Sequence, residues 1–297
     1  MSWGGPVPKG GIVAAVGGGG KTSVLFALAE ASSQEGGRVC LTTTTHIYDP
    51  RTETEARPFN RVVLVPELAD KPMPPRDAPF GTETYENPLV LPMGSPSELL
   101  ALSPGVGSIT VLASRDGIPD TSVYQPERVS TRPLLKLGGI HPEQVPYLRA
   151  IWDLILVEAD GSKHLPIKAP ADHEPVLPPA TDVVIGCIGL DCLGKPLDER
   201  SVHRPALFST ISGCGKGELL SFQHLINLVN HPQGLFKAVP GNTRRVLLMN
   251  KADVLSEETV LALQDHVSRI RSQGELLVVL GSAQHDRVFW TLNSNGG

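Results

Sequence analysis

The chain has 297 residues, 40% of them hydrophobic, with a formal net charge of -5 and four cysteines. That composition supports a sizeable core in one large α/β domain or two smaller ones, and it lacks the basic footprint of a nucleic-acid binder. No apolar run approaches a membrane span, no signal-peptide pattern opens the chain, and the scattered cysteines make no disulfide framework, so the expected setting is cytoplasmic, without membrane or nucleic-acid partner.

The run 11–16 is short, β-branched and bounded by glycines, which predicts a buried strand. After Gly17-Gly18-Gly19-Gly20-Lys21-Thr22-Ser23, apolar residues at Val24, Leu25, Leu28, Ala29 and Ala31 have helical spacing that stops at Gly36-Gly37. Strand, glycine loop, Lys-Thr and helix stand in the order of a P-loop. In such a loop backbone N–H groups turn onto phosphates, Lys21 adds a point charge and Thr22 can hold Mg²⁺. Ala15 stands where the consensus has its first glycine. The alternative is a flexible loop with a solvated lysine.

Further strands are predicted at 39–42, 61–65, 108–113, 154–158, 183–187, 246–249 and 276–280, with helices at 218–230 and 257–272. Several strands are apolar throughout, as in a parallel sheet covered on both faces. The alternation predicts an α/β fold, a doubly wound, mostly parallel sheet of P-loop NTPase type. We read residues 1–297 as a single nucleotide-binding domain with a Pro/Gly-rich, loop-rich insertion at about 66–133 that carries one hairpin-like strand. Cys187 and Cys192 fit no common zinc spacing and read as small apolar side chains near a strand end.

Three later motifs belong with a nucleotide site. LILVEADGS ends an apolar strand in acids: Glu158 is placed to meet Mg²⁺ as a Walker B carboxylate does, and Gly161 to sense a γ-phosphate. Asp160 is a candidate catalytic group beside Lys21, as a water-activating or a metal-holding carboxylate; both roles stay open. RRVLLMNKADVL runs a strand into Asn250-Lys251-Ala252-Asp253, which looks like the Asn-Lys-x-Asp motif of guanine-specific NTPases. An Asp253 carboxylate accepts from guanine N1–H and its 2-amino group, a donor pair adenine lacks. Lys251's stem can lie over the base and Asn250 can brace the loop. Finally, Ser282-Ala283 in VVLGSAQ resembles the Ser-Ala loop that supports guanine O6.

With these pieces in place the chain resembles the YqeC-type family, described as accessory proteins of selenium-dependent molybdenum hydroxylases. The resemblance rests on VGGGGKTS, TTTTHI, VEADGSKHLPIKAP with HEPVLP, GLDCLGKPL, VHRP and NKAD, and runs from about residue 11 to 253. Glu158-x-x-Gly161 followed by Asn250-Lys251-x-Asp253 also looks like the metallochaperone GTPases, although this chain has no Cys-x-x-Cys or His-rich tract.

TTTTHI follows the second strand, so Thr44, Thr45 and His46 are candidates for a switch segment over the nucleotide or for a plain strand extension. Lys163, Lys168, His203 and Arg204, with His164, His173 and Lys195, form a cationic group for a second anionic substrate or the transferring phosphoryl group, or a solvated surface. The expectation is a Mg²⁺-dependent GTP-binding protein that hydrolyses GTP slowly. The resemblance implies that it assists maturation or selenium-cofactor loading of a molybdenum hydroxylase, the expected partner. The alternatives are a small-molecule kinase with Asp160 as base, and a non-enzymatic nucleotide-gated scaffold.

Overall fold

The computed structural model describes residues 9–51, 57–65, 104–119, 135–267, 270, 276–285 and 287–293. The chain opens with β1 (Gly11–Gly17), α1 (Lys21–Gln34), β2 (Val39–Thr43), β3 (His46–Tyr48) and β4 (Arg61–Val65). It continues with β5 (Ile109–Pro119), β6 (Leu135–Gly138), β7 (Leu154–Glu158), β8 (Ile167–Lys168), β9 (Val183–Gly189) and β10 (Val202–His203). The last elements are α2 (Pro205–Ser212), α3 (Phe222–Asn230), β11 (Arg244–Asn250), α4 (Glu257–Val267), β12 (Leu276–Ser282) and β13 (Arg287–Asn293).

Among the described residues eleven strands form one sheet in the order β13-β12-β11-β9-β1-β7-β2-β5-β6-β3, with β4 also on β5, while β8 and β10 pair separately. The centre is parallel: β1 lies between β7 and β9, β11 between β9 and β12, and β2 between β7 and β5. Antiparallel pairs lie toward the edges, β12 with β13 and β6 with β5 and β3.

Every residue of β1 is buried, because the sheet is covered on both faces. Its side chains alternate across the sheet, as the pleat requires. Ile12, Ala14 and Val16 join one core with Phe208 of α2, Leu225 and Leu228 of α3, and Leu263 of α4. Val13 and Ala15 join the other with Val24, Leu25, Phe26 and Ala29 of α1. In β11 Leu247 and Met249 face the first core, and Val246 and Leu248 the second.

Two expectations are amended. The strand within 66–133 does pair antiparallel with the strand that follows it, β6, but β5 also runs parallel to both β2 and β4 inside the sheet. Of that stretch, residues 66–103 and 120–133 lie outside the described residues. The helix expected from 218 starts at Phe222, because the preceding residues pair elsewhere: Leu197 N–H donates to Glu218 O at 2.8 Å and Leu220 N–H to Lys195 O at 2.8 Å. Ser221 then caps α3 in a capping box with His224.

Because β1, β7, β9, β11 and β12 are parallel, their carboxyl ends open on one edge, where ligands of open α/β sheets bind. The glycine loop, Glu158, Gly189, Asn250 and Ser282 all lie there.

Candidate functional site

The glycine run is bent by left-handed residues, with φ +93° at Gly17, +77° at Gly19 and +114° at Gly20. Three of its amides are used inside the protein. Gly17 N–H donates to Asp160 Oδ2 at 2.9 Å, Gly18 N–H to Cys187 O and Gly19 N–H to Leu165 O, each at 3.0 Å. A Cβ at Gly18 would lie 2.8 Å from Leu165 O, and one at Gly19 would collide with the Gly189 backbone. These glycines therefore admit neighbouring backbone, and the donors that can face an anion are narrowed to Gly20 and the first turn of α1. That turn has no side-chain cap and no acidic residue. Its leading amides, from Lys21, Thr22 and Ser23, are the ones a helix leaves without an internal partner.

Lys21 is 3% exposed. Its ammonium donates to Gly17 O at 2.7 Å and faces Asp160 Oδ1 at 3.2 Å and Glu158 Oε1 at 3.9 Å. Burial works against its charge, but Asp160 and Glu158 outweigh that and hold it above the usual lysine range. Thr22 Oγ1 donates to Glu158 Oε2 at 2.7 Å. A hydroxyl and a carboxylate oxygen thus meet at the start of α1, a hard-oxygen pair of the kind Mg²⁺ takes. Ser23 Oγ accepts from Arg57 at 3.4 Å.

Asp160 does not stand free beside the loop. Its Oδ2 also meets Lys168 Nζ at 3.1 Å, while the buried Oδ1 is held by the Lys21 ammonium. Lys168, a candidate cation for a second anionic substrate or else for a solvated surface, is 1% exposed. It donates to Glu174 Oε2 at 2.6 Å and to Gly161 O at 2.8 Å. Arg204 grips Glu174 with two nitrogens, at 2.6 and 3.0 Å. Burial would raise the Glu174 carboxyl, but Arg204 and Lys168 draw it down to about 2. Lys21, Asp160, Lys168, Glu174 and Arg204 are therefore one chain of alternating charge. The partner unread in the sequence is Glu174, although HEPVLP contains it. Lys163 and His164 are exposed at φ +50° and +60°, and His164 stacks on Tyr48 with ring centroids 4.9 Å apart. His203 is partly buried; burial and then Arg204, Lys168 and Lys163 lower it to about 4.

On the other side of the loop Asn250, 3% exposed, joins two segments. Its Nδ2 donates to Gly19 O at 2.7 Å and its Oδ1 accepts from Ala283 N–H at 2.9 Å. Asn250 is thus the expected brace, and the Ala283 amide is turned to it. Ser282 is buried at the end of β12. Lys251, at φ +62°, donates to Asp191 Oδ2 at 2.9 Å. Asp191, from GLDCLGKPL, is a second residue at this end of the site that the sequence did not single out. Asp253 is exposed and faces His285 Nε2 at 3.6 Å.

The threonines hold backbone. Thr42 Oγ1 donates to Leu112 O and Thr44 Oγ1 to Val176 O, each at 2.7 Å, and Thr43 Oγ1 donates to Glu158 O at 2.8 Å. Thr45 N–H donates to Thr43 Oγ1 at 3.0 Å. His46 is exposed in β3, paired with Gly138. Gly161 is exposed, with open space where a Cβ would stand. Cys187 and Cys192 are fully buried free thiols, both pushed up to about 12, chiefly by burial.

The chain matches the family described as YqeC protein over residues 13–86 and 113–206. It is 31% identical over 262 residues, 86% of this chain and 83% of the relative, to "Uncharacterized protein YqeC" of Escherichia coli (strain K12). No solved structure matches it.

Proposed function

The chain belongs to the YqeC family, and from that premise we propose that it is a Mg²⁺-dependent GTP-binding protein of P-loop type that hydrolyses GTP slowly. The observation that carries the reading is the convergence at the uncapped start of α1. Buried Lys21 and the Thr22–Glu158 hydrogen bond stand there on a turn of unpartnered helix amides, a combination that suits an anion and a hard cation together. Thr22 and Glu158 are the residues that would hold Mg²⁺, which when bound supplies neutralising charge to phosphate oxygens. Asp160, whose two oxygens face the Lys21 and Lys168 ammonium groups, sets the charge around Lys21.

Asn250 supports the guanine reading, because it ties the glycine loop to the Ser282-Ala283 turn and so fixes the base end relative to the phosphate end. The transferase alternative needs free cations for an acceptor, and Lys168 and Arg204 are engaged by Glu174. From the family resemblance we extend the proposal to maturation or selenium-cofactor loading of a molybdenum hydroxylase as the client. Among the described residues no helix is long and apolar enough to cross a membrane.

Titration of GTP, ATP and XTP into the wild-type chain and Asp253→Asn tests the reading. GTP should bind at least about tenfold more tightly than ATP, since adenine would leave a carboxylate facing a lone pair. Xanthine carries a carbonyl where guanine has its amine, so Asp253→Asn should exchange GTP preference for XTP preference. Equal wild-type affinity for ATP and GTP refutes base reading, and no triphosphate binding refutes the site.

A further inference from the structure

The connection from α2 to α3 gathers three ligand-type side chains that the nucleotide reading does not use. Cys214, Glu218 and His224 each bring one ligand atom within 4.8 Å of the other two. Glu218 Oε1 lies 3.6 Å from His224 Nε2. A tetrahedral zinc with bonds of about 2.0–2.3 Å has ligand–ligand edges of roughly 3.3–3.8 Å. One edge is therefore already set, and the thiol has to close by at most about 1.5 Å.

The backbone explains how residues so unevenly spaced meet. Gly213, at φ +78°, ends α2 and turns the chain so that Cys214 is fully buried. Gly217, also at φ +78°, turns it again. Leu197 and Lys195 then pin Glu218 and Leu220 through the backbone bonds given above. His224 sits in the first turn of α3. Its Nδ1 accepts from Ser221 N–H at 3.2 Å and lies 3.1 Å from Ser221 Oγ.

Ordinary contacts account for two of the three residues. The capping box explains His224, and the Gly215 N–H bond at 2.7 Å explains Glu218. Neither calls for a cysteine, and the Cys214 thiol meets only weak backbone acceptors, Gly215 O and Glu218 O at 3.8 Å. We propose that Cys214, Glu218 and His224 form a binding site for a zinc-class divalent cation, with a fourth position open to water or to a ligand from another molecule. Thiolate, imidazole and carboxylate together favour such a cation over Mg²⁺ or Ca²⁺. On binding, the sulfur–metal bond replaces the S–H bond and the proton leaves to solvent. The Nε2 proton passes to Nδ1, which then donates to Ser221 Oγ, the kind of partner that orients a ligating histidine, and gives up the bond from Ser221 N–H.

The full chain, stripped of metal by chelator and kept reduced, is titrated with Co²⁺ alone and then with Zn²⁺. One equivalent of Co²⁺ should give a thiolate charge-transfer band and the visible bands of four-coordinate cobalt, both abolished by Zn²⁺. Cys214→Ser should lose the charge-transfer band, and Glu218→Gln and His224→Ala should each weaken Co²⁺ binding by about tenfold or more. No band in the wild type, or a band that survives in Cys214→Ser, overturns the proposal. Glu218 is exposed, so Glu218→Gln reads the site even if serine at 214 unsettles the fold. Unchanged Co²⁺ affinity in that variant overturns it equally.

Discussion

Asn250→Ala is the sharpest test of how the two halves of the candidate site are joined. The side chain bridges Gly19 O and Ala283 N–H at 2.7 and 2.9 Å, and all three residues are buried. Alanine removes both bonds and leaves a buried carbonyl and a buried amide behind. Each orphaned group costs about 1–3 kcal/mol, and partial relaxation brings the expected loss to about 2–4 kcal/mol. That is a large share of a stability of about 5–15 kcal/mol. Urea unfolding should show a lower midpoint with an unchanged slope, and GTP titration under native conditions should show weaker binding. Asn250→Asp keeps the acceptor for Ala283 but sets an oxygen against Gly19 O, so it should not restore stability. A loss below about 1 kcal/mol in the alanine variant, with the slope intact, would refute the bridge as a structural tie.

Lys168→Met leaves two buried carboxylates short of their common cation and should cost about 3–5 kcal/mol in urea unfolding; a loss under about 1 kcal/mol would deny that the charge chain matters. Lys21→Ala should weaken triphosphate binding by about ten- to hundredfold, the worth of a charged contact of roughly 1.5–3 kcal/mol; calorimetric titration showing unchanged affinity would remove it from the phosphate site. Glu158→Gln should raise the Mg²⁺ concentration needed for half-maximal GTP binding, and an unmoved midpoint would free Glu158 of that role. His203, lowered to about 4 from 6.5, contributes stability that is whole above pH 6.5 and is lost as pH falls through 4; His203→Gln should flatten that part of the stability curve. Glu174, lowered to about 2 from 4.5, acts in the same direction lower down, between pH 4.5 and 2.

The central strands are legible in the sequence because they are buried on both faces, so runs such as 154–157 and 183–187 are apolar without interruption. The short strands β3, β8 and β10 are too brief for any period to register. α2 is not among the expected helices although its signals are present: Pro205 opens it and Gly213 closes it in the left-handed region. Lys21, Thr22 and Glu158 meet as their motifs lead one to expect. The internal bonds of Gly17, Gly18 and Gly19 do not follow from the motif, since Cys187, Leu165 and Asp160 reach them from distant segments. A list of cations near VHRP likewise shows Lys168 and Arg204 but not the carboxylate between them. Cys214, Glu218 and His224 escape a spacing search because two glycine turns and a capped helix start, not a regular repeat, bring them together.

Four successive glycines normally mean slack, since glycine loses more conformational freedom on ordering than any other residue. In this chain the loss falls at folding. Amides at 17, 18 and 19 and carbonyls at 17 and 19 are all bonded without any ligand. An anion arriving at the first turn of α1 therefore meets a surface already shaped, and little of its binding energy goes into quieting the loop. Association should accordingly be a single fast step, with no slow reordering phase of the glycine run behind it.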